Sequence, residues 1–263
     1  MAATTSSKTI PSHKSLSVQV SLTGLSFFVR TPDGASQIIH KEIQVTQPHE
    51  LLDALSDFFS EKSITVNDFD TLTVIHKNDW SSFVPKAFFK EDHLADYLKF
   101  NVALMPTDFI SYDIISNNDM VNVYLPFVNI NNFFIDAFGT FQYKHHATVL
   151  VENILNKEAG MHREQVYLHF DQLQFECVAV KNGKLQLYNQ FAYTTEEDVL
   201  YFTLFCLQRI HFSADYGLIL LGDYSAKSNL IELMKEYLPV DADALRNHQS
   251  DAENTKNFIL MHA

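Results

Sequence analysis

The sequence predicts an α/β fold of mixed sheets, assembled from two copies of one unit ordered strand, strand, strand, helix, strand. Three observations predict it. Apolar residues alternate with polar ones at the period of a half-buried strand in two distant segments. Hairpin dipeptides fall within one position of each other in the two segments, and a helix-like apolar stripe begins at the same point of each.

With Val18 set against Val166, Val18, Val20, Leu22, Leu25, Phe27 and Val29 face Val166, Leu168, Phe170, Leu173, Phe175 and Cys177. Both runs lose phase, near Thr23-Gly24 and near Asp171-Gln172, where a tight reversal makes each a hairpin. A third strand follows in each copy, with Ile39, Ile43 and Val45 facing Leu187, Phe191 and Tyr193. The turns before it carry Asp33-Gly34 and Asn182-Gly183, dipeptides that tolerate the left-handed backbone of hairpin turns.

A helix then starts near Thr46 and Thr194. In the first copy Pro48 suits the first turn, and Leu51, Leu52, Leu55, Phe58 and Phe59 form one apolar stripe. In the second, Thr194 and Glu197 have capping-box spacing, and Val199 to Leu207 is apolar almost all round, which predicts a more buried helix. Fourth strands are expected at Thr71 to Ile75 and Gly217 to Leu221.

Between the copies lie a helix-like Asp92 to Phe100, strands near Phe109 to Ile115 and Val121 to Phe127, a helix over Asn131 to Phe138 and an amphipathic His146 to Asn156. Val121 to Phe127 is expected to supply the first copy's fifth strand, and Lys227 to Leu238 a last helix. The division that follows is a flexible arm over 1–15, a first domain over 16–160, a shorter second domain over 161–240 and a polar tail over 241–263.

Composition narrows the functional classes. The 263 residues are 46% hydrophobic and 19% charged, with 22 Phe and 11 Tyr, enough apolar material for a real core. A net charge of −13 with no dense basic run opposes nucleic-acid binding. The sequence has no signal-like apolar segment at its start and no run of about 18 apolar residues, so a cytoplasmic address without a membrane span is expected. Cys177 and Cys206 sit in apolar surroundings and read as buried reduced thiols.

The duplicated meander, helix and strand resemble the ribonuclease-H-like domain pair of the actin-like ATPases. The runs SVQVSLTGLSFFV, NVYLPF and LYNQFAYTTEEDVLYFTLF are similar to an uncharacterised bacterial domain-of-unknown-function family, DUF3822. The superfamily resemblance implies an Asp-X-Gly phosphate motif in each hairpin, the carboxylate holding hydrated magnesium and glycine admitting phosphate oxygens to backbone N–H groups. The sequence departs from it. The first hairpin reads Ser21-Leu22-Thr23-Gly24, and the second His169-Phe170-Asp171-Gln172 without glycine. The adenosine-packing glycine pair is reduced to Leu220-Leu221-Gly222-Asp223.

The expectation is therefore a chain without efficient ATP hydrolysis or a required cofactor, acting as a binding or scaffolding module for another protein. Ser21, Thr23, Gly24, His169, Asp171, Gly222 and Asp223 would line a degenerate nucleotide cleft with room for weak ATP and magnesium binding. The alternative is a divergent nucleotide-binding ATPase or kinase of the same superfamily.

Other constellations have plainer readings. Asp171, Glu176, Asp215 and Asp223 could suggest a two-metal nuclease, but surface carboxylates at strand ends fit a strongly acidic chain better. His145-His146, adjacent on a strand, should point to opposite faces, as surface or partly buried side chains. No metalloprotease, Walker, nucleophile-elbow or dinucleotide motif occurs. Phe88-Phe89, Tyr97, Phe100, Phe133-Phe134 and Phe138 read as core with some share of docking surface, and Phe258 to Met261 as a short apolar tail.

Overall fold

A computed structural model describes residues 13–43, 45, 50–62, 68–116, 118–172, 174–213, 215–224, 228–238 and 257–263. The first twelve residues, Thr46, Pro48, Pro239 and the polar stretch 241–256 lie outside the described residues. Contacts divide the chain into two units, one holding residues up to Asn78 with Pro126–Lys144, the other Asp79–Leu125 with His145–His262. The segment 79–125 thus groups with the later half of the chain.

In the first unit, β1 (Ser15–Ser21), β2 (Gly24–Arg30) and β3 (Ser36–Glu42) form the antiparallel meander. The helix α1 (Glu50–Glu61) then carries the chain over so that β4 (Thr71–His76) returns parallel to β1. Parallel return needs such a crossover, because no tight turn can join strands running the same way. Leu51, Leu55, Phe58 and Phe59 of α1 are buried, and Phe58 stacks on Phe27 of β2 with ring centroids 3.9 Å apart.

The sheet order is β3-β2-β1-β4-β8, so its fifth strand is β8 (Gln142–His145) and not Val121 to Phe127. That segment forms β7 (Met120–Tyr124), the centre of a separate antiparallel sheet between β5 (Ser81–Pro85) and β6 (Ser111–Ile114). With an edge occupied on either side, β7 has no free side to offer another sheet. The helix α3 (Val128–Phe138) completes the first unit against α1.

The second unit repeats the motif. β9 (Glu164–Phe170), β10 (Gln174–Lys181) and β11 (Lys184–Ala192) form a meander, α5 (Glu196–Ile210) crosses over, and β12 (Gly217–Gly222) returns parallel to β9. The order is β11-β10-β9-β12. Asn182 and Gly183 both have positive φ, 53° and 73°, the backbone a two-residue turn of this kind requires. Ser21 faces Gly24 and Phe170 faces Phe175, so superposing the reversals sets Val18 against Leu168 and not Val166. A two-residue slip leaves side-chain phase unchanged, which is why alternation alone does not detect it.

Several elements differ from expectation. The cap of α5 is one residue later: Thr195 Oγ1 accepts from the Asp198 N–H at 3.3 Å, and Asp198 Oδ2 accepts from Thr194 and Thr195 N–H, each at 2.9 Å. Only one face of α5 is buried, through Val199, Leu200, Thr203 and Cys206, while Tyr201 and Phe205 are 63% and 40% exposed. The segment 92–100 forms a 3₁₀ turn (Glu91–His93) followed by the short α2 (Leu94–Leu98). The Cys177 and Cys206 thiols meet inside the second unit's core; the hydrogen bond between them, with burial, pushes Cys177 up. The helix α6 (Ser228–Tyr237) packs on α5. The terminal α7 (Phe258–Met261) buries Ile259 and Leu260 and packs against α4 (His146–Lys157).

α4 itself is not amphipathic. Nine of its twelve residues, from His146 to Glu152 with Ile154 and Leu155, are buried, and its polar side chains reach toward sheets on both sides. Toward the three-stranded sheet, Thr148 Oγ1 donates to Asp113 Oδ2 at 2.6 Å and accepts from Asn122 Nδ2 at 2.9 Å, and Glu152 Oε1 accepts from the Ser116 N–H at 3.1 Å. Toward the four-stranded sheet, His146 Nε2 lies 3.0 Å from Glu176 Oε1, an electrostatic contact without hydrogen-bond alignment. Glu176 also accepts from Tyr188 OH at 2.6 Å and pairs with His169 Nδ1 at 2.8 Å. Burial opposes the charged Glu176, but the electrostatic pull of His146 and the hydrogen bond with His169 outweigh it and hold the carboxyl well below its ordinary 4.5.

In the first unit, fully buried His76 accepts the Phe127 N–H at Nδ1 (3.2 Å) and donates from Nε2 to Asn131 Oδ1 (2.9 Å), which fixes the neutral tautomer. Burial pushes its pKa from 6.5 down to about 4, with the Asn131 hydrogen bond opposing. The unfolded chain therefore takes up a proton near pH 6.5 that the folded chain refuses until about 4. Stability should fall by about 3 kcal/mol from this group across that window. Glu176 acts lower: its contribution is present above 4.5 and lost as pH falls below that value. Urea titrations from pH 7 to 3 should show both phases, and His76→Gln should flatten the upper one while leaving the lower.

Candidate functional site

The first hairpin end belongs to the first unit. Ser21 closes β1 and faces Gly24, the first residue of β2. The Ser21 hydroxyl oxygen accepts the Gly24 N–H at 3.0 Å, donates to the Gly24 carbonyl at 2.9 Å, and lies 3.3 Å from Thr23 Oγ1. A Cβ on Gly24 would meet only the Lys41 carbonyl, at 3.4 Å, an ordinary contact. Ser21, Thr23 and Gly24 therefore form one self-bonded turn in which no close approach demands glycine.

The second hairpin end belongs to the second unit, where three of four candidate residues converge. Asp171 follows β9, and Gly222 and Asp223 end and follow the parallel β12. The Asp223 N–H donates to the Phe170 carbonyl at 2.9 Å. Gly222 has φ +79°, and a Cβ there would sit 2.1 Å from the Phe170 carbonyl oxygen. The Asp171 N–H donates to the Gln174 carbonyl at 2.9 Å, and the Asp171 carbonyl accepts from Tyr193 OH at 2.9 Å. That hydroxyl also lies 3.4 Å from the Gln172 carbonyl, so Tyr193 spans the reversal. Sequence reasoning placed Tyr193 only as a strand residue, and no spacing marks it as a turn-closing group.

His169 is held apart from these three. Leu168 and Phe170 face the α5 side of the sheet, so His169 between them faces α4, buried against Glu176. Glu176 is likewise an interior group and not a surface carboxylate at a strand end, while Asp215 is exposed. His145 and His146 are both fully buried with ring centroids 4.5 Å apart, not turned to opposite faces, because the strand β8 ends at His145 and α4 begins at His146. Among the described residues no group of three His, Cys, Asp or Glu side chains could hold a metal ion.

The Gly222 contact makes a direct prediction. Gly222→Ala must carry a side chain at positive φ against backbone, a cost of at least about 2 kcal/mol. Thermal and urea unfolding should both shift accordingly, whereas Gly24→Ala should shift them by less than half as much.

The comparisons with known proteins agree on the fold. A crystal structure of a Bacteroides thetaiotaomicron protein with actin-like ATPase fold and unknown function is similar over 92% of this chain and 96% of its own, at 19% identity and a TM-score of 0.78. The PilM-PilN type IV pilus biogenesis complex is similar over 96% of this chain and 98% of its own, at 10% identity and a TM-score of 0.61. At these identities the likeness shows the fold, which is that of the actin-like ATPases. No curated protein matches the chain. No helix among the described residues is long and apolar enough to cross a membrane. The family described as "Protein of unknown function (DUF3822)" matches residues 3–240, and the chain belongs to that family.

Proposed function

We propose that this chain keeps the actin-like framework without its ATP chemistry and serves as a binding module for another protein. The observation that carries the reading is the self-bonded first turn: the Gly24 N–H, which would be offered to a phosphate oxygen, is taken by Ser21 Oγ where the superfamily resemblance expects a carboxylate. The second turn supports it, since Tyr193 spans the Asp171 and Gln172 carbonyls and the Asp223 N–H is taken by the Phe170 carbonyl. Opening either turn would forfeit hydrogen bonds, and charge-assisted contacts to magnesium or phosphate worth roughly 1.5–3 kcal/mol each have no evident replacement at Ser21.

Two further features favour a protein partner. The second unit exposes large apolar side chains, among them Phe88 at 73%, Phe100 at 86% and Tyr201 at 63%. The PilM-PilN neighbour is itself a complex of two proteins, a precedent for partner binding on this fold.

Phosphate release from millimolar ATP with magnesium should not exceed the rate without protein, and Asp171→Ala should leave it unchanged. Thermal midpoints should move by less than about 1 °C with ATP, ADP or GTP, as expected where no ligand binds the folded state selectively. Magnesium-dependent turnover abolished by Asp171→Ala would instead establish the divergent ATPase or kinase.

A further inference from the structure

A groove within the second unit follows the free edge of β11 along its whole length. A cavity of about 640 Å³ lies between residues 81–85 of β5 and Leu185 to Ala192 of β11. A second, of about 470 Å³, shares Met120, Leu185 and Gln186 with it and continues to the Asn182-Gly183 turn. The nine residues of β11 span roughly 30 Å. Both walls are sheet edges: β11 pairs only with β10, and β5 only with β7, among the described residues. Phe83 and Tyr188, one from each wall, meet with ring centroids 4.8 Å apart.

An edge strand leaves every second residue's N–H and C=O without a ladder partner. On β11 the side chains substitute for that partner. Asn189 Oδ1 accepts the Gln190 N–H at 2.9 Å, and Gln186 Nε2 lies 3.2 Å and 3.3 Å from the Lys184 and Leu185 carbonyls. The Nε2 of Gln190, which lines the larger cavity, is buried without a hydrogen-bond partner among the described residues. The edge is thus held in part by its own side chains, contacts an added strand would displace, while the Gln190 amide is left for it to satisfy.

We propose that the groove docks an extended, net-basic segment of a partner polypeptide, which adds as a strand to the β11 edge. The basic character follows from charge. Asp79 and Asp119 lie on the walls against a single lysine, Lys184, within a chain of net charge −13. A single extended segment is favoured over a second copy of this chain because β5 forms a second wall beside β11, with Phe83 set against Tyr188. The proposal deepens the binding-module reading and rests on it, naming where the partner binds and in what conformation.

Panning phage-displayed random linear dodecapeptides on the full chain supplies the probes. Enriched sequences should alternate β-branched residues and carry net positive charge. As synthetic peptides read by fluorescence anisotropy, they should bind Gln190→Pro at least tenfold more weakly, since that N–H lies outside the β10–β11 ladder and proline there removes an edge donor without breaking the sheet. Ser82→Trp, filling the opposite wall, should weaken binding as much. In the unaltered protein, bound peptide should slow amide exchange at least tenfold within residues 184–192, a readout that needs no variant. Binding retained within twofold in both folded variants, with exchange in 184–192 unchanged, would overturn the groove while leaving the module reading intact. Absence of enrichment over a control protein would also overturn it, as would self-association of the unliganded chain that Gln190→Pro abolishes, which would assign the edge to a second copy. Loss of the module reading itself would be seen separately, as ATP turnover.

Discussion

The second unit depends on the polar side chains buried along α4 and the groups they reach in two sheets. Thr148 and Glu152 look to the three-stranded sheet and His146 to Glu176 in the four-stranded one, so a single helix fixes two sheets that share no backbone hydrogen bonds. Buried polar groups left unmatched would cost on the order of 1–3 kcal/mol each. The groove beside β11 adjoins this seam, because Leu155 and Asn156 of α4 line its smaller cavity.

The same economy of satisfied hydrogen bonds distinguishes the two hairpin ends from phosphate-binding turns. A turn that holds a phosphate must keep N–H groups directed outward and unspent. Here Ser21 spends the Gly24 N–H locally, and the parallel closure of β12 on β9 spends the Asp223 N–H on the Phe170 carbonyl. The glycine that survives in the second unit is explained by strand packing, and the fold it permits is shared with proteins of quite different activity.

Much of the fold was legible in alternation and turn chemistry. Both meanders, both crossover helices and the Asn182-Gly183 turn stand where the residues place them, because a half-buried sheet and a positive φ leave clear marks on sequence. Three things were not legible. The two-residue register slip is invisible to a signal of period two. β5 and β8 are too short, and Ser81–Pro85 ends on a proline, so neither shows an alternating run. The burial of His145, His146 and Glu176 depends on partners more than twenty residues distant in several cases, and the one-sided exposure of α5 depends on which neighbours cover it. Of the seven candidate residues, Ser21, Thr23, Gly24 and Asp171 lie at the two hairpin reversals and Gly222 and Asp223 at the end of β12; the inward orientation of His169 follows from Leu168 and Phe170 facing α5, a choice of sheet face that local sequence does not state.

The most direct measurement uses the glycines themselves. Selective ¹⁵N-glycine labelling marks seven amides, including Gly24 and Gly222, each able to report a phosphate at its own N–H. Titration with magnesium and ATP to several millimolar should leave the Gly24 and Gly222 resonances in place. Saturable displacement of Gly24, dependent on magnesium, would mean that the Ser21 hydrogen bond yields to a phosphate and would contradict the account.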